Sequence, residues 1–223
     1  MSKKALIHCS GNSGVIYNYS GVATCKGAAL LLGGYKKCPY ACLGLRDCLE
    51  VCPQDAITVK SQESRVPGRV RDSRLQTVDS RLQGRGTPER SISRAKHLQS
   101  EASPDSVAVI DLEKCNGCGL CLVECPLNLI ELVPASTKIA FLCNYEPLRD
   151  IPGREKCDSG CIHCRKCYKS CEYGAIVWNK ERALPEFDIE KCTLCRKCIE
   201  ACEQNTLADF TLHSDRSVAG IKP

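Results

Sequence analysis

The chain has 223 residues, of which 20 are cysteine and only 5% are aromatic. A core of this composition would bury little large apolar surface, and the cysteine content points to metal binding, whose free energy can contribute to folding. The formal net charge is +5, but metal-bound thiolates add negative charge, so the basic balance does not indicate a nucleic-acid partner.

The start of the sequence contains no apolar stretch long enough for a signal peptide. No run of about 18 apolar residues occurs anywhere in the chain, so we expect no transmembrane segment. These features predict a cytoplasmic protein, which can also lie on the cytoplasmic face of a membrane complex. In the reducing cytosol, dense cysteine indicates metal ligands rather than a disulfide scaffold.

The first part of the chain alternates short β-rich runs with cysteine motifs. Residues 5–9 form an apolar run that ends at Cys9, and residues 56–59 and 107–111 form two further runs. Their β-branched and apolar residues are typical of short strands in small hairpins. Residues 119–125, which carry the last cysteines of one motif, predict a short helix.

Residues 60–104 differ from the rest of the sequence. They contain no cysteine and no aromatic residue, and are rich in Arg, Ser and Gln. Such a segment cannot bury enough apolar surface to offset the entropy lost on ordering. We predict a disordered, low-complexity basic insert, with a docking arm for an acidic partner as the alternative.

The order of elements then repeats, which suggests a duplicated unit. Residues 138–143, 174–178 and 184–189 predict strands, and residues 196–202 predict a short helix. We therefore expect an α+β fold with two modules and a flexible tail. The predicted boundaries are residues 1–59 plus 105–134 for the first module, 135–210 for the second and 211–223 for the tail.

Three cysteine motifs have the spacing C-x2-C-x2-C-x3-C, and a fourth has the altered spacing C-x3-C-x5-C-x3-C-P. In bacterial ferredoxins the first three cysteines of the regular motif bind one [4Fe–4S] cluster, and the fourth binds the other cluster of a pair. The regular motifs are Cys115/Cys118/Cys121/Cys125, Cys161/Cys164/Cys167/Cys171 and Cys192/Cys195/Cys198/Cys202, and the altered one is Cys38/Cys42/Cys48/Cys52.

Exchange of the fourth cysteine within each half predicts four [4Fe–4S] clusters in tandem dicluster ferredoxin-like modules. The predicted ligand sets are Cys38, Cys42, Cys48 and Cys125; Cys115, Cys118, Cys121 and Cys52; Cys161, Cys164, Cys167 and Cys202; and Cys192, Cys195, Cys198 and Cys171.

Four cysteines remain, and they occupy matching positions in the two halves: Cys9, Cys25, Cys143 and Cys157. We predict that they converge near a pseudo-twofold axis and bind a fifth cluster. A structural zinc site and unligated buried thiols are the alternatives for this set. Zinc at every motif is less compatible with the sequence, because zinc ribbons do not place a third cysteine after a second two-residue gap.

The sequence shows no nucleophile-and-base constellation and no glycine-rich phosphate loop. His163 lies between two motif cysteines and could tune a cluster through hydrogen bonds, or could be a solvated loop residue. We therefore predict an electron-transfer subunit without a catalytic site of its own. The alternatives are an enzyme subunit in which one cluster keeps an open iron, and a zinc-based interaction module.

The order of the motifs resembles the ferredoxin-rich portion of the B subunit of Rnf-type electron-transport complexes. The resemblance rests on residues 5–11 (Ala-Leu-Ile-His-Cys-Ser-Gly), 25–45, 118–121 and 126–134, and covers nearly the whole chain outside the insert. It implies a conduit for low-potential electrons, with ferredoxin as donor and flavoprotein or membrane electron-transport subunits as acceptors. The family's N-terminal membrane helix and additional cysteine-rich domain are missing from this sequence, so a soluble polyferredoxin serving another redox enzyme is the alternative.

Overall fold

The structure is a computed structural model and describes residues 2–11, 13–61, 106–147, 151 and 153–211. Short strands and short helices alternate along these residues. The strands are β1 (Lys3–Ile7), β2 (Ile57–Ser61), β3 (Ser106–Ile110), β4 (Ile130–Pro134), β5 (Ile139–Phe141), β6 (Ile176–Asn179), β7 (Leu184–Phe187) and β8 (Leu207–Asp209). The helices are α1 (Cys25–Leu30), α2 (Asp47–Glu50), α3 (Leu120–Glu124), α4 (Lys166–Lys169) and α5 (Lys197–Glu200).

The strands pair in two-stranded antiparallel sheets, and the pairing has the same order in both halves. In the first half β1 pairs with β4 and β2 with β3; in the second, β5 pairs with β8 and β6 with β7. The outer pair of each half brings distant residues together, such as Ile7 opposite Ile130 and Phe141 opposite Leu207. Each half therefore closes on itself by pairing its first strand with its last.

The apolar runs predicted from the sequence lie on β1, β2, β3, β5, β6 and β7, and the two predicted helices correspond to α3 and α5. Strands β4 and β8 were not predicted from the sequence. Each is only a few residues long, and each pairs with a strand more than 60 residues away in the chain. The local pattern is therefore a weak signal for them, because their partners are visible only in the tertiary structure.

The buried side chains of the described residues form a first cluster mainly in the first half, a second cluster in the second half, and a smaller third cluster of Ala28, Tyr35, Leu43 and Leu45. Cysteines belong to both of the larger clusters. Ile57, Ile110 and Ile130 pack in the first cluster, and Ile176 and Leu184 pack in the second. The buried or partly buried cysteines are Cys9, Cys42, Cys48, Cys52, Cys115, Cys121 and Cys125 in the first cluster, and Cys143, Cys161, Cys167, Cys171, Cys192, Cys198 and Cys202 in the second. Groups bound by these thiols would complete the two cores.

The two halves are joined by direct contacts. Phe210 follows β8 but is buried in the cluster of the first half. Cys9 and Cys143 form an isolated antiparallel β-bridge, and His8 Nδ1 lies 2.8 Å from the carbonyl oxygen of Phe141. The guanidinium of Arg154 donates hydrogen bonds to carbonyl oxygens of the segment 32–36. The halves therefore meet through both main-chain and side-chain contacts.

Two of the predicted segments fall mostly outside the described residues. The insert predicted over 60–104 lies there except for its first two residues, which belong to β2. The tail predicted over 211–223 lies there except for Thr211. The insert and tail therefore remain predictions from the sequence.

Candidate iron–sulfur sites

The four cysteine motifs share one backbone conformation. In the three regular motifs the second cysteine lies between two residues with positive φ: Gly117 and Gly119 around Cys118, His163 and Arg165 around Cys164, and Leu194 and Arg196 around Cys195. L-residues with side chains rarely adopt this conformation, so the loops accept a local cost to hold their shape. Such a loop turns three successive thiols towards one space before the next helix begins.

Site 1 contains the four thiols predicted to form one ligand set. A pocket is lined by Cys52, Cys115, Cys118 and Cys121. The backbone N–H of Ala5 lies 3.5 Å from Cys115 Sγ, and the N–H of Ala56 donates to Cys52 Sγ at 3.4 Å. The first three thiols of the regular motif thus face the last thiol of the altered motif.

Site 2 differs from its predicted ligand set in one member. Its pocket is lined by Cys25, Cys42, Cys48 and Cys125, so Cys25 takes the place predicted for Cys38. Cys25 begins α1, and the buried carboxylate of Asp47 holds this helix by accepting the N–H of Cys25 at 2.7 Å. The pocket therefore contains Cys25 where the motif spacing predicted Cys38.

The physical reason for this exchange lies at Leu45. Leu45 lies between Gly44 and Arg46, both with positive φ, and thus occupies the position that a cysteine has in the regular motifs. The loop lacks a thiol there, and the N–H of Leu45 instead donates to the sulfur of Cys25, which reaches the site from another segment. A cysteine from outside the motif thus replaces the one that the loop does not supply.

The sequence contains a signal for this arrangement in the repeated spacing of its cysteines. Cys38, Cys42, Cys48 and Cys52 have gaps of x3, x5 and x3, and Cys157, Cys161, Cys167 and Cys171 have the same gaps. Cys38 therefore corresponds to Cys157, and Cys42 corresponds to Cys161. The extra cysteine of the second half, Cys164, corresponds to Leu45.

Sites 3 and 4 in the second half bring together thiols in their predicted sets. In site 3, the thiol of Cys161 interacts electrostatically with Cys167 and Cys202, and Cys167 interacts with Cys164. In site 4, Cys198 interacts with Cys192, with Cys167 of the neighbouring site 3, and with Cys171 and Cys195. The second half thus repeats the exchange of the last cysteine between neighbouring motifs.

Backbone amides point at several of these sulfurs. The N–H of His163 donates to Cys161 Sγ at 3.4 Å, and the N–H of Thr206 donates to Cys202 Sγ at 3.4 Å. The imidazole Nε2 of His163 lies 3.3 Å from the carbonyl oxygen of Tyr145. His163 thus reaches a sulfur with its backbone rather than its ring. Such N–H···S contacts stabilise negative charge on sulfur and raise the reduction potential of an iron–sulfur cluster.

Burial raises the pKa of many of these thiols. Desolvation raises the pKa of Cys25 and Cys161 from 9.0 to about 12, and that of Cys121 to about 11. The thiolate is the form that binds metal, and a positively charged group is needed to stabilise it in such surroundings. The donor chemistry of the sites therefore fits an iron–sulfur core, whose binding would release the thiol protons.

Within the described residues, no group of three or more His, Cys, Asp or Glu side chains is arranged to hold one metal ion.

The family model of the 4Fe–4S dicluster domain matches residues 37–129 and 160–206. These segments make up more than half of the chain and contain every regular cysteine motif. The chain belongs to the 4Fe–4S dicluster domain family. Membership identifies [4Fe–4S] clusters as its cofactors and iron–sulfur electron transfer as its chemistry.

Two relatives are B subunits of redox complexes. The chain is 28% identical to the B subunit of the ion-translocating oxidoreductase complex of Methanosarcina acetivorans over 187 residues, which is 83% of this chain and 52% of the relative. It is 27% identical to the B subunit of the Na(+)-translocating ferredoxin:NAD(+) oxidoreductase complex of Acetobacterium woodii over 195 residues, which is 86% of this chain and 45% of the relative. The expected resemblance to B subunits of Rnf-type complexes is confirmed, and the chain spans about half the length of these relatives.

Among the helices of the described ranges, none has the length and apolar character needed to span a membrane.

Proposed function

We propose that this chain relays low-potential electrons through [4Fe–4S] clusters at sites 1 to 4, as a subunit of a redox complex of the Rnf type. The observation that carries the proposal is the gathering of thiols from separate segments into groups of four, as in the pocket lined by Cys52, Cys115, Cys118 and Cys121. The nested strand pairing supports two dicluster modules, residues 1–59 plus 105–134 and residues 135–210.

The residues of the chain hold and tune the proposed clusters. The loops with positive φ fix the directions of the thiols, and the amides of Ala56 and Thr206 donate to sulfur. Buried neighbours such as Ile57 and Ile176 limit access of water. A bound [4Fe–4S] cluster supplies one-electron chemistry, with potentials from about −700 to +450 mV depending on burial and hydrogen bonding.

The names of the relatives suggest the partners of the chain. One relative is named for a ferredoxin:NAD(+) oxidoreductase complex and the other for an ion-translocating oxidoreductase complex. We infer that a reduced ferredoxin donates electrons to this chain and that a flavoprotein or membrane electron-transport subunit accepts them. We place the chain in the cytoplasm, at the cytoplasmic face of such a complex.

Metal and sulfide analysis of the full chain after anaerobic purification tests the proposal. Four cubes predict at least about 16 iron and 16 acid-labile sulfide per chain. After reduction with dithionite, we expect an EPR spectrum of several interacting reduced clusters. Zinc without acid-labile sulfide, or full iron loading with no EPR signal after reduction, would contradict it.

A further inference from the structure

Four cysteines remain outside sites 1 to 4. They converge at the junction between the halves. We name them the central set: Cys9, Cys38, Cys143 and Cys157. The set contains two residues from each half. It differs from the set predicted from the sequence by the exchange of Cys25 for Cys38, which follows from the position of Cys25 in site 2.

Backbone contacts bring the four segments of the central set together. Cys9 and Cys143 face one another in the isolated β-bridge. The N–H of Glu155 donates to the carbonyl oxygen of Lys37 at 3.2 Å, which places the chain before Cys157 beside the chain before Cys38. The two pairs are therefore held by main-chain hydrogen bonds.

Side-chain contacts connect the two pairs. The thiols of Cys38 and Cys157 share a hydrogen bond, and Cys38 also interacts electrostatically with Cys9. Cys143 interacts in the same way with Cys157. Ser159 lies near Cys157 and donates to the carbonyl oxygen of Gly11 at 2.7 Å. The four thiols therefore lie near one another at the junction.

The surroundings of the central set suit an anionic group. Cys38 and Cys143 are buried, and Lys36 is only 1% exposed. Its ammonium interacts electrostatically with Cys9 and donates a hydrogen bond to the carbonyl oxygen of Ser106 at 2.8 Å. A buried cation is costly unless a nearby negative charge compensates it. A cluster held by four thiolates would supply that charge.

The central set has the same amide pattern as the other sites. The N–H of Cys42 in site 2 donates to Cys9 Sγ at 3.3 Å, and the N–H of Cys161 in site 3 donates to Cys143 Sγ at 3.3 Å. These two bonds are equivalent in the two halves. They attach the central set to one site on each side of the junction.

We propose that Cys9, Cys38, Cys143 and Cys157 bind a fifth [4Fe–4S] cluster, which connects the clusters of the two halves. The inference rests on the proposed function, because it assigns a further site to the same relay. Four soft thiolate donors suit an iron–sulfur cluster. Each half supplies two of the ligands, so the site is incomplete without both halves.

The test compares iron and sulfide in anaerobically purified full-length variants. The chain with five clusters should contain about 20 iron and 20 sulfide. Cys38→Ala/Cys157→Ala should lose about four of each, and replacement of all four central cysteines by alanine should lose no more. The matched control, Cys195→Ala/Cys198→Ala, should lose the same amount but change a different part of the EPR spectrum of the reduced protein.

Each other result overturns the fifth cluster or its ligand set. An iron content of about 16 per unmodified chain shows that the central set holds no cube. This holds also if the chain contains one zinc ion or a Cys38–Cys157 disulfide in addition. A loss of about eight iron in Cys38→Ala/Cys157→Ala shows that Cys38 belongs to a different cluster from Cys157. By contrast, failure of the proposed function would appear as absence of iron and sulfide from all five sites of the unmodified chain.

Discussion

The position of Cys25 in site 2 predicts that its ligand role can be moved to another residue. Leu45 occupies the position between two left-handed residues that holds a cysteine in the regular motifs. Leu45→Cys would give Cys42, residue 45, Cys48 and Cys52 the full C-x2-C-x2-C-x3-C spacing. We therefore expect Cys25→Ala to lose the site 2 cluster and Cys25→Ala/Leu45→Cys to regain it.

The magnitude follows from the stoichiometry and from the packing. Loss of the site 2 cluster removes about four iron per chain, and its recovery restores them. Leu45 is 9% exposed and packs against Ala28, Tyr35 and Leu43, so its shortening removes apolar contacts. Leu→Ala substitutions in cores cost about 2 to 5 kcal/mol, and cysteine keeps one more heavy atom, so we expect a cost of about 2 kcal/mol. The four thiolate bonds of a restored cluster should outweigh this cost.

The assay is iron and sulfide content per chain, with the EPR spectrum of the reduced protein as the second measurement. The matched control is Cys25→Ala/Ala28→Cys, because Ala28 is buried in the same cluster as Leu45 but does not line the pocket of site 2 or lie between the two left-handed residues. This control should not regain the cluster. Full iron content in Cys25→Ala, or equal recovery by cysteine at either position, would refute the reasoning.

Three further predictions concern the charge, the ionisation and the packing of the junction and the cores. Lys36→Met should lower the reduction potential of the nearest cluster by tens of millivolts in EPR-monitored redox titrations, on the order of 1 kcal/mol, because it removes a buried positive charge. In the same redox titrations, the control Lys37→Met should change the potential little, because Lys37 is exposed. Equal changes in the two variants would argue against a role for burial of the charge. Burial raises the pKa of Cys161 and Cys198 from 9.0 to about 12, so the folded cluster-free chain keeps thiol protons that the unfolded chain releases. The free energy of unfolding of the cluster-free chain, measured in denaturant titrations under reducing conditions, should be highest below about pH 9 and fall as the pH rises towards about 12. A rise in stability over that pH range would contradict the burial of these thiols. Phe210→Ala should lower the free energy of unfolding in denaturant titrations by about 3 to 5 kcal/mol, because Phe210 follows β8 in the second half but is buried in the cluster of the first half. A change as small as that caused by an exposed substitution would show that the junction does not depend on this contact.

The regular cysteine motifs could be interpreted from the sequence alone. Their ligands lie within 11 residues of one another, as in Cys115 to Cys125, so the spacing itself specifies a loop and a short helix. The same locality made the strands with distinct apolar runs recognisable. The thiols predicted together for site 1 line one pocket, and thiols predicted together for sites 3 and 4 lie near one another.

The remaining sites depend on contacts between residues far apart in the chain. Cys25 joins site 2 because Asp47 fixes the start of α1 and because Leu45 occupies the position of the motif's second thiol. Cys38 faces Cys157 because the segments before them are hydrogen bonded across the junction. Spacing along the chain does not encode such pairings, since they arise only when the two halves pack. The sequence therefore determined which chemistry the chain performs, whereas the packing of its halves decided which thiols share a site.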